Sequence, residues 1–176
     1  MDQELIIAGF GGQGILSMGK ILAYAGLHEG KNVSWLPSYG PEMRGGTANC
    51  SVIVSDEPIG SPIVGKPDVL VAMNLPSLDK YENEVVSGGK IFVDSTLISR
   101  KVERTDVDVY YIPATSIANE QGISTLANMI ITGKLLKEVP ALGFDGIDAP
   151  LSKVVSARKA HLLEVNKTAL KLGYDY

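Results

Sequence analysis

Short apolar runs alternate along this chain with longer stretches that keep a helical period. Residues 5–8 (Leu-Ile-Ile-Ala) and 69–73 (Val-Leu-Val-Ala-Met) are apolar on both parities, as strands buried on both faces of a parallel sheet are. Residues 33–36, 91–93 and 109–112 read as further short strands. Residues 48–54 alternate Ala48, Cys50, Val52 and Val54 against Asn49, Ser51 and Ile53, a strand with one less apolar face. Residues 15–29 predict a mostly buried helix whose narrow polar stripe is Ser17, Lys20, Tyr24 and His28, with Gly30 as the stopping residue. Pro37 is expected to end the second strand. Helices are predicted over 76–86, with Leu78, Tyr81 and Val85 in phase, and over 125–138, with Leu126, Met129, Ile130 and Gly133 on one face. A last long helix, capped by Asp148, is predicted to run through Leu151, Val154, Val155, Leu162, Val165, Ala169 and Leu172. Alternating strands and helices predict the α/β class: a single-domain, doubly wound, Rossmann-like and mostly parallel sheet with helices on both faces.

Composition narrows the function. The chain has 176 residues, 45% of them apolar and 20% charged, which suits one globular domain over residues 1–176 and excludes a disordered chain. A net charge of −4 argues against a nucleic-acid partner, because phosphate neutralisation needs a basic face. The one cysteine, Cys50, allows no disulfide within the chain and no iron–sulfur cluster held by this chain alone. Cys50 lies within a strand pattern and is expected to be a small buried hydrophobe. His28 and His161 are too far apart in sequence to form a local zinc motif. The acidic start and the lack of a long apolar run predict no signal peptide, no membrane span and a cytoplasmic protein.

Two glycine-rich loops carry the candidate chemistry. Gly9, Gly11 and Gly14 satisfy G-x-G-x-x-G between a strand and a helix, with Gly12 and Gln13 inside the motif. Such a loop turns tightly and presents helix N–H groups to an anion. A nicotinamide or flavin dinucleotide would also want an acid at the end of the second strand, where this chain has Trp35-Leu36-Pro37-Ser38. Glycines that serve only to pack the helix on the sheet remain the alternative. The second loop, Ser38-Tyr39-Gly40-Pro41-Glu42-Met43-Arg44-Gly45-Gly46, sets a phenol, a carboxylate, a thioether and a guanidinium among glycines. In an open α/β sheet the loops after the first and second strands belong on one rim. A surface ion pair between Glu42 and Arg44 is the alternative there.

The run from Gly9 to Ile15, the run from Pro37 to Cys50, and Ser55-Asp56-Glu57-Pro58-Ile59-Gly60-Ser61-Pro62, Lys66-Pro67-Asp68 and Asn128-Met129 together resemble the gamma subunit of 2-oxoacid:ferredoxin oxidoreductases, over essentially the whole chain. The resemblance implies a complex that converts a 2-oxoacid, coenzyme A and oxidised ferredoxin to acyl-coenzyme A, CO2 and reduced ferredoxin, with 2-oxoglutarate favoured over a branched-chain 2-oxoacid. It implies thiamine diphosphate between alpha and beta partner subunits, and iron–sulfur clusters on beta or on a small ferredoxin-like delta subunit. It places coenzyme A or a partner at Gly9, Gly11, Gly12, Gln13 and Gly14, and at Ser38, Tyr39, Gly40, Glu42, Met43, Arg44, Gly45 and Gly46. Arg44 is the best single residue for a phosphate or carboxylate, since its planar fork bonds in a bidentate manner. No catalytic residue is expected on this chain. The isolated chain is expected to be inactive, and to self-associate through surfaces its partners would cover. A free-standing NAD(P)- or FAD-dependent oxidoreductase and a purely structural subunit are the other readings.

Overall fold

The structure is a computed structural model that describes residues 2–38, 47–143 and 145–176. Its elements are β1 (Gln3–Phe10), α1 (Ile15–His28), β2 (Asn32–Ser38), β3 (Thr47–Ser55), β4 (Val69–Ala72), α2 (Leu75–Tyr81), β5 (Lys90–Asp94), β6 (Asp108–Ile112), α3 (Ala114–Glu120), α4 (Ala127–Glu138), α5 (Asp148–Val154) and α6 (Leu162–Asp175). The strands form one six-stranded sheet in the order β2-β3-β1-β4-β5-β6. β1, β4, β5 and β6 are parallel, as the apolar runs predict. β3 is antiparallel to both β1 and β2. Residues 39–46 are too few to carry a crossover, so β2 and β3 pair as a hairpin.

Both faces of the sheet are covered. Leu5, Ile7, Val52, Val71 and Phe92 pack beneath α1, α4, α5 and α6. Ile6, Ala8, Leu70, Ala72, Ile91 and Val93 pack against Leu78 and Val85, around α2, and against Val64 and Ile98. Glycines allow the helices to approach closely. A Cβ at Gly19 would strike Cys50 and Trp35, and one at Gly26 would strike Val33 and Val54, so α1 lies directly on β2 and β3. Between α4 and α6 the contact is backbone to backbone: a Cβ at Gly133 would run into the Leu170 carbonyl, and one at Gly173 into the Ile130 carbonyl. α1 ends as expected. The Gly30 N–H reaches the Leu27 carbonyl at 3.0 Å, and the Lys31 N–H reaches the Gly26 carbonyl at 3.0 Å.

Several sequence expectations need correction. β2 continues through Pro37 to Ser38, because an edge strand tolerates a proline whose missing N–H faces outward. α2 stops at Tyr81 and passes into a 3₁₀ turn, Glu82–Glu84, where the Glu82 carboxylate is held by Arg100 (2.7 Å) and by the Glu103 N–H (2.6 Å). The helix expected from Thr125 begins as the 3₁₀ turn Ser124–Leu126 and becomes α-helical at Ala127. α3 escaped the pattern because only the small residues Ala114 and Ala118 are fully buried in it. The long last helix is two helices. Val155 turns extended after α5, and the Ser156 hydroxyl accepts from the Arg158 N–H (3.2 Å) to start a separate turn, Ala157–Lys159. The apolar period survives the break because Leu151, Val155, Leu163 and Leu172 all pack on the same core. Asp148 is the first helical residue rather than the cap, and it pairs with Lys167 at 3.3 Å.

Gly173→Ala is expected to lower stability by ~1–3 kcal/mol or more, the range for overpacking a filled contact, and denaturant titration measures this directly. Gly60→Ala, where a Cβ would meet nothing, is the control and should stay within about 0.5 kcal/mol of wild type.

Candidate functional site

The C-terminal ends of β1, β2, β4, β5 and β6 lie along one edge of the sheet. From that edge the chain leaves β1 through α1 over one face, and leaves β4 through α2 over the other. Such a divergence opens a crevice at the strand ends.

The first glycine loop lines this crevice. Gly12 and Gly14 take positive φ values of 89° and 75°, which an L side chain resists. Gln13 turns inward and binds both strands. Its Oε1 accepts from the Phe10 N–H (2.6 Å), and its Nε2 donates to the Met73 carbonyl at the end of β4 (3.0 Å). A Cβ at Gly9 would collide with the Gln13 amide, so the glycine in β1 makes room for this bridge. On the far side the Asn128 Nδ2 donates to the Gly14 carbonyl (3.2 Å), and Asn128 fills the space that a Gly14 Cβ would need. Asn128 is buried, and its Oδ1 has no partner among the described residues.

α1 begins at Gly14 with no side-chain cap and no acid in its first turn. Among the described residues nothing neutralises its first N–H groups, which carry the positive end of the helix dipole. A cleft of about 270 Å³ lies there, walled by Phe10, Gly11, Gly12, Ile15, Ser17 and Ala48. The loop residues Tyr39, Gly40, Glu42, Met43, Arg44, Gly45 and Gly46 lie outside the described residues. Ser38 is exposed at the end of β2 and pairs with Asn49, while Thr47 pairs with Phe10. Both ends of the segment thus join the edge that carries the first glycine loop, and Ala48 is shared with the cleft.

The neighbouring strand ends carry side chains that the sequence reading had not singled out. The Asp94 carboxylate, fully buried at the end of β5, accepts from Thr115 Oγ1 (2.6 Å), the Thr96 N–H (3.2 Å) and the Thr115 N–H (3.4 Å). It ties the end of β5 to the first turn of α3, just past β6. Asn74, after β4, caps α2 by accepting from the Ser77 N–H (2.9 Å). Their signal in the sequence was an acid or an amide directly after an apolar run. Phe10, Leu75 and Leu97, beside the tips of β1, β4 and β5, are 44%, 40% and 47% exposed and make the rim apolar.

Cys50 is buried, and burial pushes its thiol up to about 12, which leaves it a poor nucleophile. His28 and His161 are exposed. Trp35 is half-buried against the core. Among the described residues no three metal-ligating side chains converge, and no helix is long and apolar enough to cross a membrane.

A doubly wound α/β fold with an uncapped helix start on its strand-end rim is the class these features define. The model of the pyruvate ferredoxin/flavodoxin oxidoreductase family matches residues 4–176, and the chain belongs to that family, as its motifs indicate. It is 43% identical over 174 residues, 97% of its length, to the ketoisovalerate oxidoreductase subunit VorA of Methanothermobacter thermautotrophicus, of which it spans 35%. It is 42% identical to the 2-oxoglutarate synthase subunit KorC of Methanocaldococcus jannaschii, covering 99% of this chain and 94% of that one. The chain thus spans about a third of the ketoisovalerate relatives and nearly all of the 2-oxoglutarate one. Among solved structures, a keto/oxoacid ferredoxin oxidoreductase gamma subunit from Geobacter sulfurreducens superposes with a TM-score of 0.84 at 27% identity, covering 98% of this chain and 96% of that one. The 2-oxoglutarate:ferredoxin oxidoreductase of Magnetococcus marinus, solved with 2-oxoglutarate, coenzyme A and succinyl-CoA, shares the fold at a TM-score of 0.87 and 24% identity, with 99% of this chain matched to 30% of that one.

Gln13→Ala removes both side-chain bonds between β1 and β4. The expected loss is ~1–3 kcal/mol, from two lost bonds and a buried carbonyl left without its donor. Faster amide exchange confined to residues 9–16 would locate the effect, and unchanged exchange there would contradict the bridging role.

Proposed function

We propose that this chain is a one-domain gamma-type subunit of a multi-subunit 2-oxoacid:ferredoxin oxidoreductase, with 2-oxoglutarate as the preferred acid, and that its strand-end rim helps to hold coenzyme A. The full-length relationship to a 2-oxoglutarate synthase subunit supports the substrate class. The observation that carries the coenzyme A reading is the uncapped, acid-free start of α1, opening on a cleft that shares a wall with the residues flanking the second loop. That site fits a phosphate: backbone donors converge there, and left-handed glycines let an anion approach the main chain. A cleft of about 270 Å³ suits one phosphate-bearing end of coenzyme A, not the whole molecule. Gly11, Gly12 and Gly14 shape this cradle, and Gly9 and Gln13 hold it in place. Ser38, Tyr39, Gly40, Glu42, Met43, Arg44, Gly45 and Gly46 supply side chains and backbone from the second loop. Arg44 provides the charge.

Thiamine diphosphate and the iron–sulfur clusters belong, in this reading, to the alpha, beta and ferredoxin-like subunits. Activation of the 2-oxoacid and electron transfer then take place on those chains, and this chain binds and orients the acyl acceptor. The isolated chain is accordingly inactive.

The test is reconstitution with the alpha and beta subunits, comparing wild type with Arg44→Ala in coenzyme A-dependent reduction of an artificial acceptor. With assembly intact, the KM for coenzyme A should rise ~10-fold or more, as expected for loss of a charge-assisted contact. The KM for 2-oxoglutarate should not change, and 2-oxoglutarate should outperform 2-oxoisovalerate. Unchanged coenzyme A kinetics would favour a purely structural subunit.

A further inference from the structure

β2 is the outermost strand of the sheet, and among the described residues no strand pairs with its open side. Natural edge strands are guarded by charges, lysines, bulges or brevity, because their free N–H and C=O groups recruit other strands. β2 runs seven residues, Asn-Val-Ser-Trp-Leu-Pro-Ser, with no charge among them. Its one guard is Pro37, near the C-terminal end. A proline in a paired strand sits where its missing N–H faces outward. Alternate residues share that direction, so the Val33 and Trp35 backbone groups open outward as well.

The surface beside this edge is apolar and hollow. Lys20, Ala23, Tyr24, Leu27 and Trp35 line a depression of about 240 Å³ between α1 and β2. Tyr24 and Leu27 also line a second depression of about 210 Å³, with Ala149 and Pro150 of α5. Tyr24, on the stripe expected to face solvent, is 38% exposed, and Leu27, outside that stripe, is 52% exposed. The charge beside these hollows is positive. The Lys20 ammonium lies 4.9 Å from the Trp35 ring centroid, and Lys153 borders the second hollow. Neither lysine has a carboxylate partner among the described residues, whereas Lys167 and Lys171 on α6 are both paired.

We infer that the open edge of β2 and the Tyr24–Leu27 surface form one docking surface for an extended segment of a partner subunit. That segment adds a seventh strand beside β2, places apolar side chains in the α1 hollows, and offers carboxylates to Lys20 and Lys153. A second copy of this chain fits less well. Antiparallel self-pairing centred on Trp35 would bring two Lys20 ammonium groups together, and each chain carries a net charge of −4. The inference rests on the subunit reading above, but concerns a surface separate from the coenzyme A cleft.

Leu27→Glu and Lys20→Glu test it, both at exposed positions where the fold should survive, as a thermal melt checks. Affinity for the combined alpha and beta subunits is measured for wild type and each variant. Amide exchange over residues 32–38 is compared between the free chain and the complex. The expected result is at least tenfold weaker assembly for both variants, and protection of the Val33 and Trp35 amides in the wild-type complex. Wild-type assembly with undiminished variant affinity and unprotected β2 amides overturns the inference and leaves the subunit reading standing. Failure of the wild-type chain itself to assemble overturns both. A wild-type homodimer that protects residues 32–38 overturns it in favour of a second copy.

Discussion

At the strand-end edge β1 and β4 lie side by side, yet their chains leave over opposite faces of the sheet. The Gln13 side chain spans the point where they part, with its carbonyl on the Phe10 N–H and its amide on the Met73 carbonyl. Both strand ends would otherwise keep unpaired backbone groups at the mouth of the crevice, a costly arrangement wherever they are shielded from water. The turn through Gly11–Gly14 leads from this joint into α1, whose first residues border the cleft. Asn128 closes the arrangement from behind by bonding the Gly14 carbonyl from the first turn of α4. A glycine motif that reads as a ligand loop is thus also a structural joint, and its amide is occupied by the protein.

The helices on the α1 face of the sheet are held by close approach. Gly19 and Gly26 bring α1 onto β2 and β3, and Gly133 and Gly173 bring α4 and α6 into backbone contact. Close-packed layers leave little freedom to shift relative to one another. The rim is different in kind. Phe10, Leu75 and Leu97 stand exposed there, and the second loop departs from the same edge. A rigid frame with an apolar, glycine-rich edge suits a subunit whose site is completed by neighbours. The edge of β2, guarded by Pro37 alone among its own residues, faces outward from the same frame.

Much of this was legible in the sequence, for identifiable reasons. Doubly buried strands announce themselves as unbroken apolar runs, so β1, β4, β5 and β6 were read near their observed positions. The glycine motif located the start of α1 because the required backbone conformation is close to glycine-specific. The gap at Val155–His161 was invisible because both helices face one core and keep a common period across the break. α3 was too short and too alanine-rich to show a stripe. At the site, Gln13 looked like a ligand-facing group because its partner, Met73, is 60 residues away. The Asp94 clamp was missed for the same reason, since Thr115 lies 21 residues on, in the first turn of α3. Local pattern carries local structure, whereas bonds that join distant strand ends emerge only when the sheet is assembled.

The central claim is that the strand-end rim of this chain contacts coenzyme A in the assembled oxidoreductase. Amide exchange on the complex, with and without saturating coenzyme A, tests it most directly. The account predicts slowed exchange in two segments of this chain, residues 9–18 and 36–50, with β5 and β6 unchanged. Protection confined to the alpha and beta subunits, with both segments exchanging at the same rate in either condition, would contradict it.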